Sequence, residues 1–496
     1  MPEKRCMNKE FYDQKNDHDR GMLNPIFWIP YMIFMSHHPL LFYWGIVKLN
    51  EGGLTFGSRV GYVTLLVFLV IWQLFSTMRY HLQLSGRNDK GVYVKHKILF
   101  GGRRLIHMGL FGMYFLPVWY LFWFKLSPKN PYEIMLKATQ GSDDPILILG
   151  FTLIAEVIYA IIFIWLLALN GGLRIIFGSR NLRVGKRVFI FLTYWIPFFQ
   201  FIPAHMLCKA ARDEYLVAVY RATDNDFIKS DEECRTRYPL IMVHGIGFRD
   251  LKVFNYWGRV PRILKKHGAS VYYGHQNAWA PMAINSAIIG ETIDKALKEC
   301  GTDKVNIIAH SKGGLDSRYL INKLGYADKV ASLTTINTPH RGSSLITFLN
   351  KLPDSLYREI ADYIGRPFEL AGDDMPDVYN SSKELDPIFC EKFNEENPDV
   401  PGIYYQSYTS VMKNCFADTL LTIPYIIMCF MGDKENDGLV CVESAKWGEY
   451  KGLLKNRHAR GISHGDMIDL KREDIRGFDI LRFYYDLVKD LKKRGL

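Results

Sequence analysis

Val305-Asn306-Ile307-Ile308-Ala309-His310-Ser311-Lys312-Gly313-Gly314 is the stretch on which the fold turns. Val305 to Ile308 are mostly apolar and β-prone, as a strand buried on both faces would be. Small residues then surround a serine, and Leu315, Tyr319 and Leu320 follow at helical spacing. A strand, a sharp turn with serine at its tip and a helix give a G-x-S-x-G-like pattern the setting of a nucleophile elbow. Such a turn needs small residues two before and two after the serine. Ala309 and Gly313 meet that need, Ala309 adding one methyl where glycine is usual. The turn pushes the serine Oγ out of the sheet, and the following helix N-terminus offers backbone N–H groups to an oxyanion. A serine in an ordinary strand–helix turn is the plain alternative, and the pentapeptide alone leaves it open.

Around this stretch, strands and helices alternate. Strands are expected at 240–243, 271–273, 305–308, 330–336 and 403–410, with helices at 253–267, 281–300 and 314–324. That rhythm predicts a mostly parallel sheet covered on both faces, an α/β fold. Residues 475–491 close the chain as an amphipathic helix whose apolar face is core.

A serine hydroxyl is a poor nucleophile alone and needs a base, an acid to orient that base, and oxyanion donors. This fold imposes the order Ser…Asp/Glu…His. With Ser311 as nucleophile, the base is expected at His464, in a loop before the terminal helix. His458 lies in a basic run and reads as solvated. His310 is expected on the opposite side of the strand, and His340 in a turn. The acid is expected at Asp437, ahead of Asp418 and Glu443. Leu240 to Gly247 reads as an apolar strand entering a Gly-rich turn, which assigns the oxyanion donors to the N–H groups of Ile246 and Lys312. His244 reads as a structural residue of that turn. The stretch from Ser343 to Pro401 is too long for a simple loop. In it Leu345, Phe348, Leu349, Leu352, Leu356, Ile360, Tyr363 and Ile364 mark an amphipathic helix broken at Pro353.

Taken in order, the patches V-H-G-I-G-F-R-D at 243–250, F-N-Y-W-G at 254–258, N-I-I-A-H-S-K-G-G at 306–314, S-L-T-T-I-N-T-P-H-R-G-S at 332–343, G-I-Y-Y-Q-S-Y at 402–408, N-D-G-L-V at 436–440 and H-G-D at 464–466 resemble the bacterial triacylglycerol lipases of the α/β-hydrolase fold. The resemblance implies a lipase or carboxylesterase with Asp437 as catalytic acid and His464 as base. It implies a lid at the helix after Ser343, against the alternative of a fixed cap. It implies no required cofactor, and a structural Ca2+ site held in part by Asp466, with Asp418 as the candidate second carboxylate. A loop-capping role for Asp466 is the other reading. A phospholipase, thioesterase or acyltransferase on the same elbow stays open, as does a non-enzymatic membrane scaffold or transporter with a hydrolase-like binding module.

The first part of the chain has no counterpart in secreted members of that family. Five apolar segments, at 26–47, 62–78, 105–124, 146–169 and 188–207, are long enough to cross a membrane. Those at 26–47 and 188–207 carry prolines and polar residues that suggest a kinked or interfacial course. The expected organisation is therefore a polar segment at 1–25, an all-α, multi-pass transmembrane helical domain of four to five spans at 26–215, and the hydrolase domain at 216–496. Through Tyr215 there are 24 Lys and Arg against 13 Asp and Glu, the whole of the net charge of +11; the rest balances, 38 against 38. Membrane rather than nucleic acid is the partner this asymmetry predicts, besides a lipid or other ester substrate. With five spans, Lys and Arg counts on successive flanks run 5, 2, 7, 3 and 5, which puts the N-terminus in the cytoplasm and the hydrolase domain on the extracytoplasmic side. Glu156, inside a span, is expected as a buried helix-packing hydrogen bond or a relay. His37 and His38 face different sides of a helix and predict no metal site. Eight cysteines occur without a C-x-x-C pair.

Overall fold

Long apolar runs fold as helices in the first part of the chain, and β-prone runs fold as a parallel sheet in the second. The computed structural model describes residues 25–49, 52–82, 92–126, 145–182, 184–196, 198–223, 232–247, 255–370, 376–456 and 460–496. The chain divides into two units between Thr223 and Asp224. The polar segment expected at 1–25 lies outside the described residues except for Pro25, as does His458.

The first unit contains α1 (Pro25–Ser36), α2 (His38–Leu49), α3 (Phe56–His81), α4 (Val94–Leu126), α5 (Pro145–Gly178), α6 (Val184–Thr193) and α7 (Phe201–Thr223). Three helices, over Phe56–Arg79, Val94–Phe122 and Ile154–Gly178, are long and apolar enough to cross a membrane. The segment at 26–47 is broken at His37, where Pro39 opens α2 and has no N–H to continue a helix from α1. The segment at 188–207 is not a single helix. The chain leaves α6 at Thr193, passes Phe198 at φ 62° and restarts at Phe201. Lys209, Arg212, Asp213, Glu214 and Arg221 then make α7 too charged for a span.

Helices α4 and α5 approach through small residues. A Cβ on Gly102 would lie 2.9 Å from the Gly171 carbonyl oxygen, and one on Gly109 would lie 2.7 Å from the Ala168 Cβ. Such contacts let helix backbones approach where lipid supplies no hydrophobic drive. Glu156 is fully buried and pairs with His37 Nδ1, and Trp119 Nε1 donates to His37 Nε2 at 3.1 Å. The carboxylate thus joins α5 to the α1–α2 break and, through His37, to α4.

The second unit holds β1 (Leu240–Val243), α8 (Val260–Lys266), β2 (Val271–Tyr273), α9 (Met282–Cys300), β3 (Val305–His310), α10 (Gly313–Lys323) and β4 (Val330–Ile336). After these come α11 (Ser344–Leu349), α12 (Asp354–Leu370), α13 (Val378–Lys383), α14 (Pro387–Glu396), β5 (Tyr404–Ser410), α15 (Thr422–Phe430), β6 (Glu449–Leu454) and α16 (Ile480–Lys493). The strands form one sheet in the order β2-β1-β3-β4-β5-β6, every pair parallel. Period-two alternation divides its core. Leu240, Met242 and Ile308 face Trp257 and the apolar side of α16, while Ile241, Val243, Ile307 and Ala309 face Ile289 and Ile293 of α9 and Leu320 of α10. Each such aliphatic side chain contributes about 1.5–3 kcal/mol on burial.

Three local features differ from expectation. Strand β6, too polar to read from sequence, pairs with β5. Helix α16 begins at Ile480 because the Asp479 side chain accepts from Leu481 N and so caps it; Ile475 and Phe478 stay buried in the preceding turn. The helix at 253–267 shortens to α8, and residues 248–254 lie outside the described set. The stretch after Ser343 does break at Pro353, into α11 and α12. However, α12 turns Tyr357 and Ala361 inward, where Tyr357 and Tyr379 pack at 5.2 Å, and leaves Leu356, Tyr363 and Ile364 exposed.

Candidate active site

Strand β3 ends at His310, and Ser311 takes φ 54°, a left-handed conformation that costs a non-glycine residue energy and marks a constrained turn. Helix α10 starts two residues later. The turn is so tight that a Cβ on Gly313 would collide with the His244 carbonyl oxygen, and one on Gly245 would lie 2.7 Å from the Ser311 Cβ. The loop after β1 therefore packs directly against the serine. Gly247 N donates to Ala278 O at 2.9 Å and pins that loop, while Ile246 packs with Met282 and Leu315. His244 is fully buried with its two ring nitrogens against Gly245 O, 2.7 Å, and Gln276 O, 2.9 Å, the structural role expected of it.

Lys312 is buried beneath the turn. Its ammonium lies 2.7 Å from Asp316, 3.1 Å from Glu384 and 3.2 Å from the Ala280 carbonyl oxygen. Burial works against the charge, but the two carboxylates outweigh it and raise the ammonium's pKa. The residue after the serine is thereby tied to α9 and to the end of α13.

Asp437 and His464 meet at the carboxyl edge of the sheet. Just beyond β5, Met412 N donates to Asn436 O at 2.9 Å and Ile462 N to Val411 O at 2.8 Å, which brings both loops there. His464 Nδ1 lies 2.6 Å from Asp437 Oδ2, and His464 N donates to Asp437 O at 2.9 Å. The other oxygen, Asp437 Oδ1, accepts from Leu439 N at 2.9 Å and Val440 N at 2.8 Å. A fully buried carboxylate so divided has its orientation set on both sides. The alternative acids fare differently: Glu443 is a solvated partner of Lys446, and Asp418 pairs with Lys471.

His310 is where sequence reasoning went astray. It was expected on the opposite side of the strand, yet its ring lies 4.3 Å from that of His464, and its Nδ1 lies 2.7 Å from the Tyr256 hydroxyl. It shares parity with Ile308, hence the face of Trp257 and the terminal helix, and that alternation was the available signal. Burial, then the charge of His464, hold the His310 imidazole well below its ordinary pKa. His340 is a buried structural residue stacked on Trp447.

Asp418 and Asp466 flank the histidine loop. Asp418 takes the Lys471 ammonium on Oδ1 and the Ser463 hydroxyl on Oδ2 at 2.9 Å. Asp466 takes Arg460 on Oδ1 at 2.8 Å and Ser463 N on Oδ2 at 2.9 Å, within a capping box. Calcium needs six to eight oxygen ligands. Here all four carboxylate oxygens already accept hydrogen bonds, two from cations, and the described residues contain no cluster of three His, Cys, Asp or Glu able to hold a metal. The arrangement does not fit the Ca2+ site that Asp466 and Asp418 were expected to form, and Asp466 serves as a loop cap.

No family model matches the chain. Triacylglycerol lipase 2 of Saccharomyces cerevisiae is 30% identical over 274 residues, 50% of this chain and 76% of that protein. A triacylglycerol lipase of Burkholderia plantarii is 38% identical over 128 residues, 25% of this chain and 35% of its own length. One from Pseudomonas fragi is 24% identical over 299 residues, 54% of this chain and 100% of that protein. Among solved structures, the mature lipase BlEst2 of Bacillus licheniformis is 19% identical, covering 51% of this chain and 91% of that one at a TM-score of 0.38. A parallel sheet with a serine turn after its third strand, an Asp–His pair at its carboxyl edge and a relative matched over three quarters of its length converge: the chain belongs to the triacylglycerol lipase family of α/β-hydrolases.

Proposed function

We propose that this chain is a membrane-anchored serine hydrolase that cleaves carboxylic esters of lipids through an acyl-enzyme. Ser311 Oγ attacks the ester carbonyl, and His464 accepts the proton and returns it to the leaving alkoxide. Asp437 holds the histidine tautomer, and the Ile246 and Lys312 N–H groups receive the oxyanion. The observation that carries this reading is the 2.6 Å Asp437–His464 contact, with the His464 ring 4.3 Å from that of His310, the residue before a serine held at a left-handed turn.

A lipid substrate is supported by the surface of the hydrolase unit. Helix α15 and the turn before it expose Phe416, Leu420, Ile423, Ile426 and Phe430, and α12 exposes Leu356, Tyr363 and Ile364. Contiguous apolar patches of this kind mark lipid or protein contact. Anchoring rests on the three long apolar helices. With α1–α2 read as one crossing and the broken α6–α7 segment as none, those three helices bring the count to four. Flanks of 5, 7 and 5 basic residues then fall on one side and 2 and 3 on the other, an asymmetry that favours the cytoplasm for the hydrolase unit, the reverse of the five-span expectation.

The test is labelling of the full-length protein with a fluorophosphonate probe, alongside hydrolysis of a panel of triacylglycerol, phospholipid and thioester substrates. We expect labelling that Ser311→Ala abolishes and carboxylic ester turnover that Ser311→Ala lowers by about 10⁴–10⁶ in kcat. An unlabelled, folded wild type would remove the enzymatic reading.

A further inference from the structure

The loop that carries His464 is held by two carboxylates that need a counter-charge, and this chain builds one in. Asp418 and Asp466 are 2% and 4% exposed, on either side of Ser463. Two buried carboxylates cannot both stay ionised without positive partners. Lys471 lies on Asp418, and Arg460 lies on Asp466. Arg460 Nε also donates 2.8 Å to the Ala417 carbonyl oxygen, so one guanidinium ties the turn before Asp418 to the loop cap. Ser463 completes the ring: its hydroxyl donates to Asp418 and accepts from Asp466 N at 3.2 Å, while its own N donates to Asp466. His464 is the next residue, and its N–H is bonded to Asp437 O.

We propose that Arg460 and Lys471 do in this chain what a bound divalent cation would otherwise do, and that they are positioning residues for the His464 imidazole. Each cation neutralises one carboxylate, and together they fix the backbone at Ser463, which leaves His464 one orientation toward Asp437. Arginine and lysine divide the task by chemistry. The forked guanidinium bridges a carboxylate and a carbonyl, while the compact ammonium sits on Asp418 Oδ1. The enzyme is accordingly independent of calcium. This inference rests on the reading of Ser311, His464 and Asp437 given above.

The experiment uses full-length protein in detergent. For the wild type, neither excess EDTA nor millimolar calcium chloride moves the unfolding temperature or kcat. Arg460→Met and Lys471→Met lower kcat by up to about 100-fold, with KM little changed, because they misplace the base and leave substrate contacts alone. They also shift the acid limb of the kcat–pH profile. Arg460→Lys and Lys471→Arg keep a counter-charge and recover part of the activity lost in the Met variants. A wild type stabilised by calcium and inactivated by EDTA would overturn the proposal, as would Met variants with full kcat and an unchanged profile. Should a Met variant fail to fold, the calcium titration of the wild type decides alone. Fluorophosphonate labelling separates the two levels. An unlabelled wild type removes the underlying hydrolase reading, whereas a labelled wild type with fully active Met variants removes only the cation pair.

Discussion

Asp437 gives one oxygen to two backbone N–H groups and the other to His464, so an amide in its place keeps the shape and loses the charge. Asp437→Asn should therefore fold normally and lower kcat by about 10⁴, since the imidazole then takes the wrong tautomer. Circular dichroism with ester kinetics checks both halves. His310 makes a prediction about stability. Its folded pKa is depressed, so its contribution is whole above the unfolded value and is lost as pH falls below it. The unfolded chain takes up a proton near 6.5 that the folded site refuses. Unfolding free energy of the hydrolase unit should then decline with falling pH, and His310→Phe should flatten that decline by up to about 1.4 kcal/mol per pH unit between pH 6 and 5. Urea titrations across that range measure it; equal slopes in the two proteins would rule it out.

At the scale of elements, the informative helices are α12 and α15. Both show apolar side chains to solvent while packing inward with other residues, such as Tyr357 and Ala361 in α12 and Met428 in α15. A helix with two apolar faces has one for its own fold and one for something else. Ile423→Asp with Phe430→Asp should slow hydrolysis of an emulsified long-chain ester about 10-fold or more, given about 1.5–3 kcal/mol for each large side chain withheld from lipid. Turnover of a water-soluble short-chain ester should stay unchanged. Equal loss on both substrates would assign these residues to folding instead. The stripe at Leu356, Ile360, Tyr363 and Ile364 was legible in the sequence as amphipathic. Which way it faces was not, because periodicity identifies a face and not its partner.

At the scale of the whole molecule, helix packing and topology each make a prediction. Gly171 has no room for a side chain against Gly102 and Ile106, so Gly171→Leu should destabilise the helical unit by roughly 1–3 kcal/mol and lower its melting temperature in detergent. On the proposed four-crossing topology, a cytoplasm-dependent reporter fused to the C-terminus should be active, because an even number of crossings returns the chain to the side of its basic flanks. An inactive fusion of a stably expressed protein would restore the fifth span.

Much of the fold lay in local pattern. Strands at 240–243, 271–273 and 330–336 match those observed, since continuous β-prone runs bounded by turn residues admit few other structures. Ser311, Asp437 and His464 were legible as candidates through their order and the resemblance of their motifs. What only the tertiary structure decided concerns contacts between residues far apart in sequence. The ring of His310 lies against His464, Arg460 and Lys471 saturate Asp466 and Asp418, β6 joins the sheet edge, and the last apolar segment breaks in two. Periodicity and propensity report on a residue's immediate neighbours, whereas pairing of charges and docking of rings depend on which surfaces the finished sheet brings together.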